Sequence, residues 1–173
     1  SVHDLLTGQD VVAFINVEMF SVRNEIFFLH SGGTLDDNAA VTRYILDKAA
    51  DCAARVYPVG ALSRDSQGQQ LAEYGELKDA GAVALTDDGM PVVDSELMPR
   101  AMEYPDSHGL PVISHAEESS LSRNGCMNEG AVSTRLGLRG IPTAAESIMV
   151  YREIALAELT GARMHIAHVS CEP

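Results

Sequence analysis

Residues 80–89 read AGAVALTDDG, a short apolar run that ends in two aspartates. The same arrangement, an apolar run followed by polar residues, recurs in LPVISHAEE at 110–118 and in RMHIAHVS at 163–170. Helical patterns at 94–104 and 142–161 separate the three runs. Short strands that alternate with helices predict βαβ units and a parallel sheet.

The pattern extends toward the amino terminus. A helix is predicted over 35–54, with Asp37 or Asn38 as its cap. A short β-rich run at 55–61 predicts a strand, and residues 68–81 predict a second helix that stops at a glycine. These elements add one more strand and two helices to the predicted alternation.

Two helices and the segment between them carry more specific predictions. Pro105 lacks a backbone donor, so the helix at 94–104 should end or kink near Tyr104. Residues 118–141 are rich in Gly, Ser and Asn and predict a long irregular stretch. Apolar spacing in the helix at 142–161 predicts one buried side, formed by Ala145, Ile148, Met149, Leu156 and Leu159.

The choice of sheet is between an open doubly wound sheet and a (β/α)8 barrel. An open sheet that binds a dinucleotide carries a Gly-x-Gly-x-x-Gly turn after its first strand, and the sequence contains no such motif. In a barrel the functional residues lie at the carboxyl ends of the strands. The segments ALTDD, VISHAEE and HIAHVS place their polar residues there. The sequence therefore predicts an α/β fold and favours a (β/α)8 barrel over the open sheet.

Composition excludes some classes of partner. The 173-residue chain has a formal charge of −13, whereas nucleic-acid binding requires clustered Lys and Arg. Apolar runs such as VVAFINV are too short to span a bilayer, and the first residues show no signal peptide. Three cysteines without CxxC spacing favour a reducing compartment. These features predict a cytoplasmic protein with neither nucleic acid nor membrane as a partner.

The three strand ends offer candidate metal ligands. They are Asp87 or Asp88, His115, and His165 or His168. Carboxylates and imidazoles that converge on one edge of a sheet can bind a divalent metal such as zinc. The alternative is structural, because two aspartates after a strand are often a turn or a helix cap. The residues alone leave both interpretations open.

Strand alternation narrows the choice within each pair. The bulky Val83 and Leu85 should face the helices, which would point Asp88 inward. His165 and His168 should lie on opposite faces of the last strand, and His168 is nearer the carboxyl end. We expect His168 to reach the site and His165 to have a hydrogen-bonded structural role.

Five segments carry a resemblance to a known family: VYPVGAL, ELKDAGAVALTDDGMPV, GLPVISHAEE, GCMNEGAVSTRLGLRGIPTAAE and ALAELTGARMHIAHVS. Together, over about residues 35–170, they closely resemble the bacterial class I dihydroorotases of the amidohydrolase superfamily. The resemblance implies a metal-dependent (β/α)8 barrel that interconverts N-carbamoyl-L-aspartate and L-dihydroorotate in pyrimidine biosynthesis. Other cyclic amidohydrolases, the hydantoinases and allantoinases, are not expected to carry the MNEGAVSTRLGLRGIP loop.

The resemblance also implies roles for single residues. It places the aspartate that bridges two zinc ions at Asp88, and the two histidine ligands of the second zinc at His115 and His168. Such a zinc pair would activate a water molecule for attack on the cyclic amide. Glu117 and Glu118 follow His115 and could orient it, but solvated loop charges are the preferred interpretation.

Parts of the family pattern have no match. The family's His-x-His pair and following Arg have only His3 as a counterpart, and its Met-Pro-Asn-Thr turn falls near His30 and Ser31, where the sequence differs. Residues 1–34 are therefore predicted to be a divergent segment. Residues 35–173 are predicted to be an incomplete barrel domain that stops after the sixth of eight strands. We expect at most one zinc per chain and assign no catalytic or substrate-binding residue, because the expected proton-shuttling aspartate lies outside the matched region.

Three interpretations of function follow from the resemblance. The chain is a dihydroorotase completed by other segments or by a partner chain, a non-catalytic structural partner of aspartate transcarbamoylase, or a fragment with no activity of its own. Retention of the three ligands together favours the first interpretation over the second. The first implies a small-molecule substrate, and a homo-oligomer stays open in each case.

Overall fold

The structure is a computed structural model that describes residues 38–51 and 55–171, together with the backbone of 25–29. Its strands are β1 (Glu25–Leu29), β2 (Arg55–Ala61), β3 (Ala84–Thr86), β4 (Val112–Ser114), β5 (Met127–Asn128), β6 (Gly140–Ile141) and β7 (Met164–Ile166). Its α-helices are α1 (Ala39–Ala49), α2 (Tyr74–Ala80), α3 (Leu97–Ser107), α4 (Ser119–Ser122), α5 (Ala131–Leu136) and α6 (Ala144–Thr160).

The main sheet has five strands in the order β1-β2-β3-β4-β7, and every neighbouring pair is parallel. Each new strand is added on the same side of the previous one, as in a (β/α) barrel, whereas a doubly wound sheet reverses its order at a switch point. The α/β fold with parallel strands is thereby confirmed, and closure into a barrel stays a prediction. The strand β1 was not predicted from the sequence.

The stretch predicted to be irregular contains short regular elements. Residues 118–141 hold α4, β5, α5 and β6, and the two strands pair in parallel as a separate ribbon. Each of these elements has six residues or fewer, which is too short to show a readable period in the sequence.

The two faces of the sheet pack into separate apolar clusters. Leu85 and Val112 belong to the cluster on the helix side, whereas Ala84 and Ile113 belong to a smaller cluster on the opposite, inner face. The predicted orientation of Leu85 is confirmed. The prediction for Val83 is wrong, because its side chain packs against the inner cluster. Val83 precedes the first residue of β3, so the alternation of the strand does not govern it.

Two helices begin or end at residues other than the predicted ones. Residues 68–73 are not helical: the segment after β2 folds back, with an isolated antiparallel bridge between Ser63 and Leu71. Asn38 caps α1, since its side chain accepts from the backbone N–H groups of Ala40 and Val41. The helix α3 continues through Pro105 to Ser107 rather than ending near Tyr104. The Pro105 carbonyl accepts from the N–H groups of His108 and Leu110, which close that end of the helix.

The buried side of α6 differs from the predicted one. Ala145, Met149 and Glu153 are buried, at four-residue spacing, whereas Ile148 and Leu159 are 51% and 75% exposed. The predicted burial of Ile148 and Leu159 is therefore wrong. Apolar spacing does not identify the buried side of this helix, because a charged residue, Glu153, lies on it. None of the helices in the described ranges combines the length and apolar character needed to cross a membrane.

Candidate metal centre

Three adjacent strands each deliver one polar residue to the same edge of the sheet. Asp88 follows β3, His115 follows β4, and His168 follows β7. Because β3, β4 and β7 are parallel neighbours, their carboxyl ends meet at one edge. The predicted convergence of these three residues is what the structure shows.

The three ligand atoms form a compact triangle. His115 Nδ1 lies 3.0 Å from His168 Nε2 and 3.3 Å from Asp88 Oδ1. His168 Nε2 lies 3.2 Å from Asp88 Oδ1. Tetrahedral zinc with bonds of about 2.0–2.1 Å separates its ligand atoms by roughly 3.3 Å. The triangle therefore has the dimensions of one face of a zinc tetrahedron, and no other group of this kind is found in the described part of the chain.

Asp88 has a buried oxygen that the chain does not satisfy. The residue is 2% exposed, and its Oδ1 faces both imidazoles. Its Oδ2 is buried and has no hydrogen-bond partner among the described residues. Burial acts to raise the pKa of Asp88, but hydrogen bonds and charge from His115 and His168 hold it well below its usual range. An ionised carboxylate with one open, buried oxygen fits a cation that the chain does not itself supply.

His115 is oriented by a second carboxylate. Its Nε2 lies 2.8 Å from Oε2 of Glu117. Because a carboxylate only accepts, Nε2 carries a proton, and the lone pair of Nδ1 can bind a metal once Nδ1 has lost its own proton. The hydrogen bond with Asp88 and that with Glu117 raise the pKa of His115, against the effect of burial. Metal binding would displace the proton that Nδ1 carries toward Asp88 in the protonated form.

The preferred interpretation of Glu117 as a solvated loop charge is wrong. It contacts His115 directly, and hydrogen bonds from Ser122 and His115 lower its pKa although burial opposes them. Glu118 behaves differently, because its side chain accepts from the Ser120 N–H and caps α4. One glutamate contacts the site and the next caps a helix because the chain turns after β4. Strand periodicity does not predict this turn.

The backbone turn after β7, rather than the alternation of side chains along the strand, directs the His168 ring to the site. β7 ends at Ile166, and Ala167 packs in the inner cluster. His165 is in register with Ile113, which places it on the inner face, so the prediction that it lies opposite His168 is wrong. His168 follows the strand with a left-handed φ of 35°, and this turn brings its ring to Asp88.

His165 stands apart from the ligand group. Burial lowers the pKa of His165 to about 4, and the charge of His168 adds to this effect. Burial on the inner face keeps the imidazole neutral, and the structural role of His165 stays a prediction. The group of three ligand atoms does not include it.

Asp87 and Asp88, which the residues alone did not separate, have different environments. Asp87 accepts hydrogen bonds from the N–H groups of Leu62 and Ser63 at 2.8–3.0 Å, and from the Ser63 hydroxyl. Burial raises the pKa of Asp87 to about 6, while these hydrogen bonds favour the charged form. Asp87 thus ties the end of β3 to the end of β2.

A cavity of about 180 Å³ opens beside the two histidines. Its walls include Asn128, Pro142 and Glu146, which come from the segment between β4 and β7. Glu146 accepts from the N–H and hydroxyl groups of Ser170 and so fixes the segment that follows His168. The sequence named no residue of this wall as part of the site, although the MNEG segment was the most specific part of the resemblance. His3, His30 and Ser31 lie outside the described residues.

Parallel βα units with an Asp–His–His group at the carboxyl edge are the arrangement of an amidohydrolase. A family model described as Dihydro-orotase-like matches residues 35–172. The chain belongs to this family.

Proteins named Dihydroorotase are similar to most of the chain. One from Desulfotalea psychrophila is 69% identical over 137 residues, which cover 79% of this chain and 32% of that protein. One from Desulforapulum autotrophicum is 63% identical over 139 residues, covering 80% and 33%, respectively. One from Syntrophobacter fumaroxidans is 62% identical over 137 residues, covering 79% and 31%. The chain spans about a third of the length of these relatives.

Proposed function

We propose that this chain carries half of the metal centre of a dihydroorotase, which interconverts N-carbamoyl-L-aspartate and L-dihydroorotate in pyrimidine biosynthesis. The names of its relatives support the reaction. The scattered cysteines, with Cys126 and Cys171 free, support a reducing, cytoplasmic setting. A homo-oligomer, or a complex with aspartate transcarbamoylase, stays a prediction from the resemblance alone.

The observation that carries the proposal is the triangle of ligand atoms with an open carboxylate oxygen. Asp88 Oδ1, His115 Nδ1 and His168 Nε2 would hold one zinc ion, and two nitrogens with one oxygen are donors that zinc accepts. Asp88 Oδ2 is the atom available to a second ion. Zinc in such a site supplies a Lewis acid that polarises a carbonyl and lowers the pKa of a bound water.

The chain's own residues have three tasks in this proposal. Glu117 fixes the tautomer of His115, so that the lone pair of Nδ1 is directed at the site. Burial of Asp88 removes water from its carboxylate and strengthens the attraction of that group for a cation. The cavity lined by Asn128 and Glu146 provides space for a small substrate beside the histidines.

Metal stoichiometry is the first test. We expect at most one zinc per chain, held weakly, because the described ligand set serves one ion. His168→Ala should abolish binding, whereas His108→Ala, which removes a histidine from the end of α3, should not change it. Metal analysis after dialysis measures both variants. Two tightly held zinc ions per chain would contradict this expectation.

A chimera tests the reaction. Residues 35–171 would replace the matching segment of the Desulfotalea psychrophila protein, and dihydroorotate hydrolysis would be followed with added zinc. The chimera should be active and should lose activity on Asp88→Ala. The isolated 173-residue chain should show no measurable turnover, since loss of several groups that act together leaves little above background.

The chimera also separates the alternatives. A folded, zinc-binding chimera without dihydroorotase activity would contradict the proposed reaction and favour a structural role. Hydrolysis of hydantoin or allantoin in preference to dihydroorotate would indicate another cyclic amidohydrolase.

A further inference from the structure

We propose that Arg152 and Glu153, adjacent residues in the middle of α6, are positioning residues for the metal centre: they fix the segments that carry Asp88 and His115. This inference rests on the proposed function, because it assumes that the three ligands bind a metal. Neither residue is a ligand or lines the cavity beside the histidines.

Glu153 acts on the strand that carries His115. It is 1% exposed, and its Oε1 accepts from the Ser114 hydroxyl at 3.4 Å. Ser114 immediately precedes His115, and its carbonyl accepts from the N–H of Ala167 at 3.0 Å. Since Ala167 immediately precedes His168, Ser114 joins α6 to the backbone next to both histidine ligands.

Arg152 acts on the segment that follows Asp88. Its Nη1 donates to the carbonyl of Val93 at 2.9 Å, and its Nη2 donates to that of Val92 at 2.7 Å. The turn after β3 begins with the N–H of Met90 donating to the carbonyl of Asp87. The guanidinium therefore binds the segment directly after the turn that presents Asp88, and its fixed fork holds two successive carbonyls.

The two charges are poorly explained as contributors to stability. Arg152 pairs with Glu153, but Nε of the former and Oε2 of the latter are buried without hydrogen-bond partners in the described part of the chain. A buried ion pair of this kind is often no more stable than apolar residues of similar volume. Glu153 also occupies the stripe shared with Ala145 and Met149, where an apolar residue would pack directly. What the pair supplies in addition is a connection to two ligand-bearing segments.

The experiment separates positioning from stability. In the full chain, Arg152→Met combined with Glu153→Met should weaken zinc binding 10–100-fold, as measured by chelator competition. The melting temperature of the metal-free protein should stay equal or rise. With Co²⁺ in place of zinc, the visible spectrum should change in the variant, because it reports the geometry of the ligands directly.

A second variant and a matched control complete the test. Ser114→Ala removes the connection to His115 without touching either charge, and should weaken zinc binding about threefold, part of the loss that outer partners typically cause. Asp106→Asn with Arg163→Met removes an exposed ion pair beside the same helix layer and should change neither zinc affinity nor the Co²⁺ spectrum.

The outcomes distinguish the two proposals. Zinc affinity and a Co²⁺ spectrum unchanged in both the Ser114 variant and the double methionine variant would overturn the positioning role while leaving the metal centre intact. If the double variant does not fold, the Ser114 variant decides the question alone. A wild-type chain that binds no zinc would overturn the metal centre, and the positioning role with it.

Discussion

Two regions at the carboxyl edge of the sheet each hold a buried carboxylate, and the two residues are adjacent in the chain. Asp87 turns toward β2, where Leu62 and Ser63 supply hydrogen bonds to both of its oxygens. Asp88 turns toward β4 and β7, where Oδ1 faces two imidazoles and Oδ2 has no partner among the described residues. A carboxylate satisfied by the chain supports the fold, whereas one with an open buried oxygen is available to a cation.

The same division recurs in a second pair of residues. Glu117 contacts the ring of His115, whereas Glu118 caps a helix. In both pairs, neighbours of identical chemistry divide between the site and its support. The partner atoms of each side chain, rather than its residue type, therefore assign the role.

The largest expected effect is on metal affinity at the two aspartates. Asp88→Ala should lower zinc affinity more than about 100-fold, because it removes a ligand and not merely an orienting group. Asp87→Asn should lower it less than about tenfold, since Asp87 contacts the end of β2. Chelator competition measures both affinities. Equal losses in the two variants would break the distinction between the regions.

The second effect is on the free energy of unfolding, which should fall more when Asp87 is replaced than when Asp88 is replaced. Asp87→Ala leaves the buried N–H and hydroxyl groups of Ser63 without their Asp87 acceptor, whereas the N–H of Leu62 keeps the Thr86 carbonyl at 3.1 Å. The free energy of unfolding of the metal-free protein should fall by about 3 kcal/mol, since each unsatisfied group costs about 1–3 kcal/mol. Asp88→Ala should lower it less than Asp87→Ala does, because the buried Oδ2 of Asp88 has no hydrogen bond to lose. Urea unfolding measures both variants. A larger loss of stability in Asp88→Ala than in Asp87→Ala would contradict this expectation.

A smaller effect should separate the two glutamates. Glu117→Gln keeps an acceptor for His115 but removes the charge that makes the ring a better ligand, so zinc affinity should fall about tenfold. Glu118→Gln is the matched control and should leave the affinity unchanged, because Glu118 contacts the N–H of Ser120. A loss of affinity in the control would show that the whole turn, and not Glu117, orients His115.

The last effect concerns the pH dependence of stability at His165. Burial lowers its pKa to about 4 in the folded chain, from about 6.5 in an unfolded one. The unfolded chain therefore binds the proton first, so the stability that is present above about pH 6.5 is lost as the pH falls toward 4. His165→Gln should flatten the profile between pH 7 and 5, measured by urea unfolding. An unchanged slope would assign the dependence to another group.

The parts of the fold that were predicted are those with a local signal. Short apolar runs that end in polar residues indicated β3, β4 and β7, and their parallel order brings Asp88, His115 and His168 together. The parts that were missed depend on contacts between distant segments. The composition of residues 68–73 allows a helix, but Leu71 pairs with Ser63 in an isolated antiparallel bridge.

The contact of Glu117 with His115 and the burial of Glu153 were also missed. A turn that places one glutamate on the site and the next on a helix cap has no periodic signature. A signal did exist for Glu153, since Ala145, Met149 and Glu153 are spaced by four residues and continue one helical stripe. An acid on such a stripe indicates a buried partner elsewhere in the fold.

The left-handed backbone of His168 has a consequence for the rate of metal exchange. A non-glycine residue at a φ of 35° is held there at a cost of about 1 kcal/mol. The side chain of His168 is 46% exposed, against 17% for His115 and 2% for Asp88. Relaxation of this one residue would withdraw a ring without disturbing the strands. We therefore expect His168 to be the last ligand to bind and the first to leave, so that its backbone sets the lifetime of the bound ion.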